Sequence, residues 1–274
     1  MSKKERLIIT LLLFAGALIS SYFALQTLIK YEIQNKVNHA LDKFPGSVSY
    51  KKINYSLIKN EITIDDLKFS YQNYSAEIGK IKIDLPFSVS KIPPSLSVSI
   101  ADATLSSNLP YMKEMLSLTD YHRNKVKINA AIIYLISGNN VNLSLSAEGK
   151  DLGSINLGVQ LQGNLSTPSR LKLKKLELTY RDQGLVKGFL RKQAELAGED
   201  VRTFKKQLIS SLQGKLPPSV LIPLSNFIEA PRCLHLSLNP KRPITLHEAA
   251  NMLKRSAPLE EISSKLNITL SICD

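Results

Sequence analysis

The chain has 274 residues with 43% hydrophobic content, no Trp and only 12 Gly, and its 36 Lys and Arg against 23 Asp and Glu leave a formal charge of +13. Such a composition excludes a disordered or collagen-like chain, and two cysteines are too few for a disulfide-dense mini-protein. The basic balance points to anionic partners, phosphate-rich ones above all.

Residues 7–29 (LIITLLLFAGALISSYFALQTLI) carry no charge and follow Lys3, Lys4 and Arg6. As a helix, this run reaches roughly 35 Å, enough for a hydrocarbon core of about 30 Å. It predicts a single-pass transmembrane signal anchor, with residues 1–6 as a cytoplasmic tail and the bulk of the chain exported. The expected place is the inner (plasma) membrane, with the exported part periplasmic or otherwise extracytoplasmic. A cleaved signal peptide is the competing reading, with Leu7–Phe14 as its apolar segment and Ala15-Gly16-Ala17 as a small-x-small site. Both readings export the chain, so no nucleic-acid partner is expected. The expected partners are the membrane, anionic lipid, or another envelope protein.

Residues 30–44 read as a juxtamembrane amphipathic helix, with Ile33, Val37 and Leu41 on one face and Pro45-Gly46 as its stop. From there to residue 182 the period changes to two. Val48–Ile58, Glu61–Ser70, Ser75–Leu85, Ser95–Leu105, Lys125–Ser137, Asn140–Ala147, Gly153–Gln162 and Arg170–Arg181 read as strands of an antiparallel meander. Lys59-Asn60, Gly138-Asn139-Asn140 and Gly149-Lys150-Asp151 are turn signals, and the phase slip at Asp65-Asp66 reads as a bulge or local bend. One short helix is expected over Tyr111–Leu118.

Residues 183–274 return to helical spacing. Helices are expected over Leu185–Leu196, over the stretch holding Val201, Phe204, Leu208 and Leu212, and from Pro217-Pro218 through Ile228. Thr245-x-x-Glu248 is a capping box for a helix over Leu246–Lys254. Two alternating segments, 233–239 and 266–273, then predict a closing strand pair. If Cys233 lies opposite Cys273, Leu234 meets Ile272 and Leu236 meets Leu270, while His235 and Ser237 share the other face with Ser271 and Thr269. A Cys233–Cys273 disulfide is expected on that register, although registers shifted by two residues sort the faces equally well. The expected fold class is therefore α+β: a transmembrane helix, an antiparallel β-meander over 45–182, and an α-rich C-terminal portion closed by a short strand pair.

No nucleophile elbow, phosphate-binding Gly-rich loop or H-E-x-x-H motif is present, and the four His are scattered. No enzyme, catalytic residue, metal or cofactor is expected. Between Leu165 and Lys215 basic residues outnumber acidic ones by twelve to five. Lys172, Lys174, Lys187, Arg191, Arg202, Lys205 and Lys206 are the candidates for holding anionic head groups; a solvated basic face is the plainer reading. Ile62, Ile64, Ile81 and Ile83 are the candidates for lining a lipid groove, against an ordinary sheet face buried under helices.

VSYKKINYSLIKNEITIDDLKFSY (Val48–Tyr71) and SAEIGKIKIDLP (Ser75–Pro86), behind the N-terminal apolar run, resemble the entry to AsmA-like and related cell-envelope proteins of Gram-negative bacteria. The similarity covers roughly residues 1–105 and is one of rhythm, with Lys59-Asn60 standing where that family has a glycine. It implies a periplasmic protein concerned with envelope lipids, and carries over no functional residue. The expected function is non-catalytic lipid binding or handling at the outer face of the inner membrane. The alternative is an envelope scaffold that binds another protein through its sheet edge or basic helices.

Overall fold

The computed structural model of the chain describes residues 3–43, 46–86, 93–106, 110–165, 167–245, 247, 248, 251 and 259–273, with side chains from Ser20 onward except at 40, 110, 111, 168, 259–261 and 264. A helix, α1 (Lys3–Leu41), leads into strands β1 (Ser47–Ser49), β2 (Lys52–Ser56), β3 (Glu61–Tyr71), β4 (Tyr74–Asp84) and β5 (Ser95–Ser106). Helix α2 (Pro110–Ser117) precedes β6 (Lys125–Ser137), β7 (Asn140–Gly149), β8 (Gly153–Gln162) and β9 (Lys172–Asp182). Then follow α3 (Leu185–Ala197), α4 (Val201–Leu212), α5 (Pro218–Glu229), β10 (Cys233–Leu238), β11 (Ile244–Thr245), α6 (Leu259–Leu266) and β12 (Ile268–Ile272).

All twelve strands form one sheet with the order β1-β3-β4-β5-β6-β7-β8-β9-β10-β12; β2 also pairs with β3, and β11 with β9. This corrects the expected fold class. There is no separate α-rich C-terminal portion: β9 pairs with β10 from Arg181↔Cys233 to Leu176↔Leu238, so the sheet continues unbroken. Helices α3–α5 are an insertion between two neighbouring strands. Pairing across fifty residues leaves no local trace, which is why periodicity alone divides the chain there.

The transmembrane anchor is corrected as well. Among the described residues no helix is long and apolar enough to cross a membrane; the side chains of residues 7–19 lie outside the described residues. The described part of the expected span is engaged with the sheet instead. Gln26 Nε2 donates to the Tyr55 carbonyl at 3.0 Å, and α1 packs on β2. The helix runs on without a break, so that Ile33 and Val37 rest on the fully buried Ile53 together with Ile64 and Leu67.

At Asp66 the backbone bends locally, with φ 51°, but there is no bulge against β4: pairing runs one for one from Asp65↔Lys80 to Leu67↔Ile78. Its counterpart on β5 is Asp102, at φ 55°, whose N–H donates to Asn129 Oδ1 at 2.9 Å. The bulge lies on β5, whose register against β6 shifts between Ile100↔Ala130 and Ala103↔Ile128. The capping box also forms, Thr245 N–H donating to Glu248 Oε2 at 2.8 Å and Glu248 N–H to Thr245 Oγ1 at 3.1 Å. Most of the helix expected over Leu246–Lys254 lies outside the described residues.

The last strand pair has the register Leu234↔Ile272, His235↔Ser271, Leu236↔Leu270 and Ser237↔Thr269. Cys233 and Cys273 are joined just beyond it, their Cα atoms 5.2 Å apart and 40 positions apart in sequence. Closing a loop of that length restricts the unfolded chain by about 4 kcal/mol in the chain-entropy account. Replacing both cysteines by alanine should lower unfolding free energy by an amount approaching this, read from urea midpoints at constant m. Equal midpoints for the two proteins would count against the bond.

Where β8 begins, Gly153 has φ 135°, and a Cβ there would run into the Arg181 carbonyl and stand 3.1 Å from the Tyr180 hydroxyl. That hydroxyl has one proton for two acceptors, the Leu152 carbonyl at 3.0 Å and Asp182 Oδ1 at 2.8 Å. Burial, and then the Asp182 carboxylate, hold its pKa above the ordinary phenol range. Gly153→Ala should destabilise the chain by at least about 2 kcal/mol, combining left-handed strain with a backbone clash. A denaturation midpoint unchanged by that substitution would contradict the geometry.

Candidate apolar binding face

Successive strand residues point to opposite sides of a sheet, so register decides what each face presents. Across this sheet the residues opposite one another are Ile62, Ile83, Val98, Ile132, Leu145, Leu157, Leu178, Leu236 and Leu270, strand by strand from β3 to β10 and then β12. At the usual strand spacing this row is about 38 Å long. Two positions along the strands, a parallel row reads Ile64, Ile81, Ile100, Ala130, Ala147, Ile155, Tyr180, Leu234 and Ile272. On the other side lies Leu96, Tyr134, Leu143, Val159, Leu176, Leu238 and Ile268. These three rows contain no charged side chain, and the Tyr134 hydroxyl reaches out to the Pro93 carbonyl at 3.0 Å.

The opposite face is polar. Its central row is Thr63, Lys82, Ser99, Ala131, Ser146, Asn156, Thr179, His235 and Ser271. Thr179 Oγ1 and His235 Nδ1 are hydrogen-bonded at 2.9 Å.

Helices cover the ends of the apolar face. At one end α1 closes over Ile53, Ile64 and Leu67. At the other, Ile262 and Leu266 of α6 pack with Leu173 and Ile244, and α5 lies against β12 and β10. Along one margin Leu116 of α2 meets Val126 and Leu152. In the middle, Ile83, Val98, Ile100, Leu143, Leu145 and Leu157 are only half-buried, and Ile132 keeps 43% of its surface exposed.

The four candidate groove residues do share this face, as the direct pairs Ile62↔Ile83 and Ile64↔Ile81. Ile64, however, is 8% exposed and belongs to the packed cluster under α1, with Ile62 and Ile81 against it. Ile83 borders the open part. Ile132, Leu145 and Leu157, the centre of the open region, were not candidates from sequence; their period-two spacing was visible, but their alignment across strands was not. Ile64→Ala should cost about 2–5 kcal/mol as a packed core residue, while Ile132→Ala should change unfolding free energy far less. Equal losses would mean that the middle of the face is packed like the end.

The basic candidates are not gathered into one patch. Lys172 and Lys174 stand at the start of β9, and Lys174 Nζ donates to Asn140 Oδ1 at 3.4 Å. Lys187 and Arg191 lie on α3, beyond the other end of that strand and so about 30 Å away. On α4, Lys205 Nζ donates to the Glu229 carbonyl at the end of α5 at 2.8 Å, a helix-closing role. Arg202 and Lys206 are exposed. Among the described residues no group of three or more His, Cys, Asp or Glu could hold a metal ion.

A family model described as "Uncharacterized protein" matches residues 140–271. That segment begins at β7 and ends within β12, and it excludes the stretch on which the AsmA-like resemblance rests. No curated protein matches the chain.

Proposed function

We propose that the protein is a non-catalytic lipid-binding protein that holds an acyl chain against the open middle of the apolar face. The observation that carries this reading is the half-exposed row Ile83, Val98, Ile132, Leu145 and Leu157, apolar on five adjacent strands. An acyl chain brings only methylene groups, each worth about 0.8 kcal/mol when buried. An extended peptide laid across the same row would lose water from its N–H and C=O groups and find no partner there, at a cost of several kcal/mol. The rhythm shared with AsmA-like proteins supports the lipid reading, and the Cys233–Cys273 bond supports an oxidising, extracytoplasmic compartment. The scaffold reading through a sheet edge has less support, because α5 packs against the outermost strand β12.

Adjacent residues of β6 allow a direct test. Ile132 and Ile133 are 43% and 47% exposed and point to opposite faces. Full-length protein should take up a fluorescent fatty acid or phospholipid, and Ile132→Asp should weaken uptake at least about tenfold, a loss of about 1.4 kcal/mol. Ile133→Asp should leave it unchanged, with thermal unfolding of both variants measured alongside. Equal uptake by the two variants, or none by the parent, would sink the proposal.

A further inference from the structure

Between the connection from α2 to β6 and the first turns of α3 lies an open cleft of about 400 Å³, lined in part by Asp120, Arg123, Asp151, Lys187, Gly188 and Arg191. We infer that this cleft binds a phosphate group, carried by a soluble phosphate monoester or by a lipid head group. Both its arginines stand beside carboxylates. Arg191 Nη1 donates to Asp120 Oδ2 at 2.7 Å, whereas Arg123 Nη1 lies 2.7 Å from Asp151 Oδ2 as an ion pair without hydrogen-bond geometry. Asp120 is itself confined, since its Oδ1 occupies the space that a Cβ on Gly188 would take. A guanidinium has five N–H donors in a fixed fork, and the Asp120 bond occupies one terminal nitrogen of Arg191.

The remaining donors are accessible, the two arginine side chains being 60% and 68% exposed. Arg191 is set in advance by its bond to Asp120, so less rotamer freedom is lost when an oxyanion binds. Lys187 lies on the same helix as Arg191, one turn before it, and makes no ion pair or hydrogen bond among the described residues. Its ammonium is the positive charge left after the two pairs cancel. Lys113 lines the adjoining hollow, which shares Arg123 and His122 with the cleft. Directional guanidinium donors beside an uncancelled ammonium suit a tetrahedral oxyanion better than a diffuse basic surface does.

Leu152 and Leu185 line the cleft and also pack with the cluster of Val126 and Ile128 at the margin of the apolar face. A lipid lying on that face can therefore present its phosphate here. The lipid source rests on the acyl-chain reading, whereas the phosphate chemistry does not.

The test uses the full chain and two probes: glycerol phosphate by titration calorimetry, and phosphatidylcholine vesicles with or without phosphatidic acid by flotation. Binding to at least one phosphate probe is expected, with Lys187→Ala and Arg123→Gln each weakening it at least about tenfold. Lys206→Ala on α4, an equally basic but distant change, should have no effect. Binding of glycerol phosphate without preference for phosphatidic acid assigns a soluble ester; a phosphatidic acid preference lost in Lys187→Ala assigns a head group. Absence of binding to both probes, or an equal loss in Lys206→Ala, overturns the site. Loss of acyl uptake in Ile132→Asp with glycerol phosphate binding intact would separate the two proposals.

Discussion

Everything in this molecule depends on keeping side-chain alternation in phase from strand to strand. A sheet face stays apolar only if every hairpin delivers the next strand in the right register, because a slip of one residue turns a whole strand over. Here the phase holds from Ile62 on β3 to Leu270 on β12. Tight turns do much of this work, with Gly138 at φ 58° between β6 and β7 and Asp151 at φ 66° between β7 and β8. Where the alternation slips, neighbouring strands slip together. Asp66 lies between Ile64 and Leu67 with β3–β4 pairing kept one for one, and the extra residue there is on β5, between Ile100 and Ala103, where it restores register against β6.

The same requirement explains which helices are present and where. A two-sided apolar–polar sheet needs cover wherever its apolar face is deepest in side chains, and α1, α5 and α6 supply it at the ends. The insertion of α3–α5 between β9 and β10 carries α5 to the outer strand, whose unpaired backbone groups would otherwise invite a further strand. The Cys233–Cys273 bond fastens that strand to β10. The ends of the apolar face are covered, and its middle stays accessible. Large exposed apolar patches on a folded chain mark sites of contact with something apolar, which is why the uncovered middle, rather than any cavity, carries the functional reading.

Much of the meander was legible in the chain, because alternation and turn residues are local signals. EITIDDLKF shows both the period and the slip, and CLHLSLN with LNITLSIC show two strands whose pairing can sort polar from apolar, in more than one register. What was not legible is non-local. Nothing in residues 172–182 says that their second neighbour is residues 233–238, and so the sheet read as ending there. The apolar run near the N-terminus was read by length alone, whereas its later part is defined by what it touches, with Gln26 bonded to Tyr55 and Ile33 on Ile53. The site divides the same way: Ile62 and Ile81 stood out within their strands, but the open centre at Ile132 emerges only once β5, β6 and β7 are aligned.

Charge was the least legible property, because a count of lysines and arginines ignores where their partners are. The basic stretch from Lys172 to Lys206 looked like one surface, yet the fold separates Lys172 from Lys187 by the length of β9 and uses Lys205 to close α5. Arg123 lies outside that stretch altogether. It enters the phosphate cleft because the connection from α2 to β6 passes beside α3, where Gly188 lets Asp120 approach. Carboxylates in such a cleft look like an argument against an anion. Asp120 orients as well as balances charge, because its hydrogen bond fixes the plane of the Arg191 guanidinium, and Asp151 offsets the charge of Arg123. A cleft of this kind discriminates by donor geometry more than by net charge. For that reason a phosphate ester should be distinguished there from simple counter-ions, which the +13 of the whole chain attracts over all its surface.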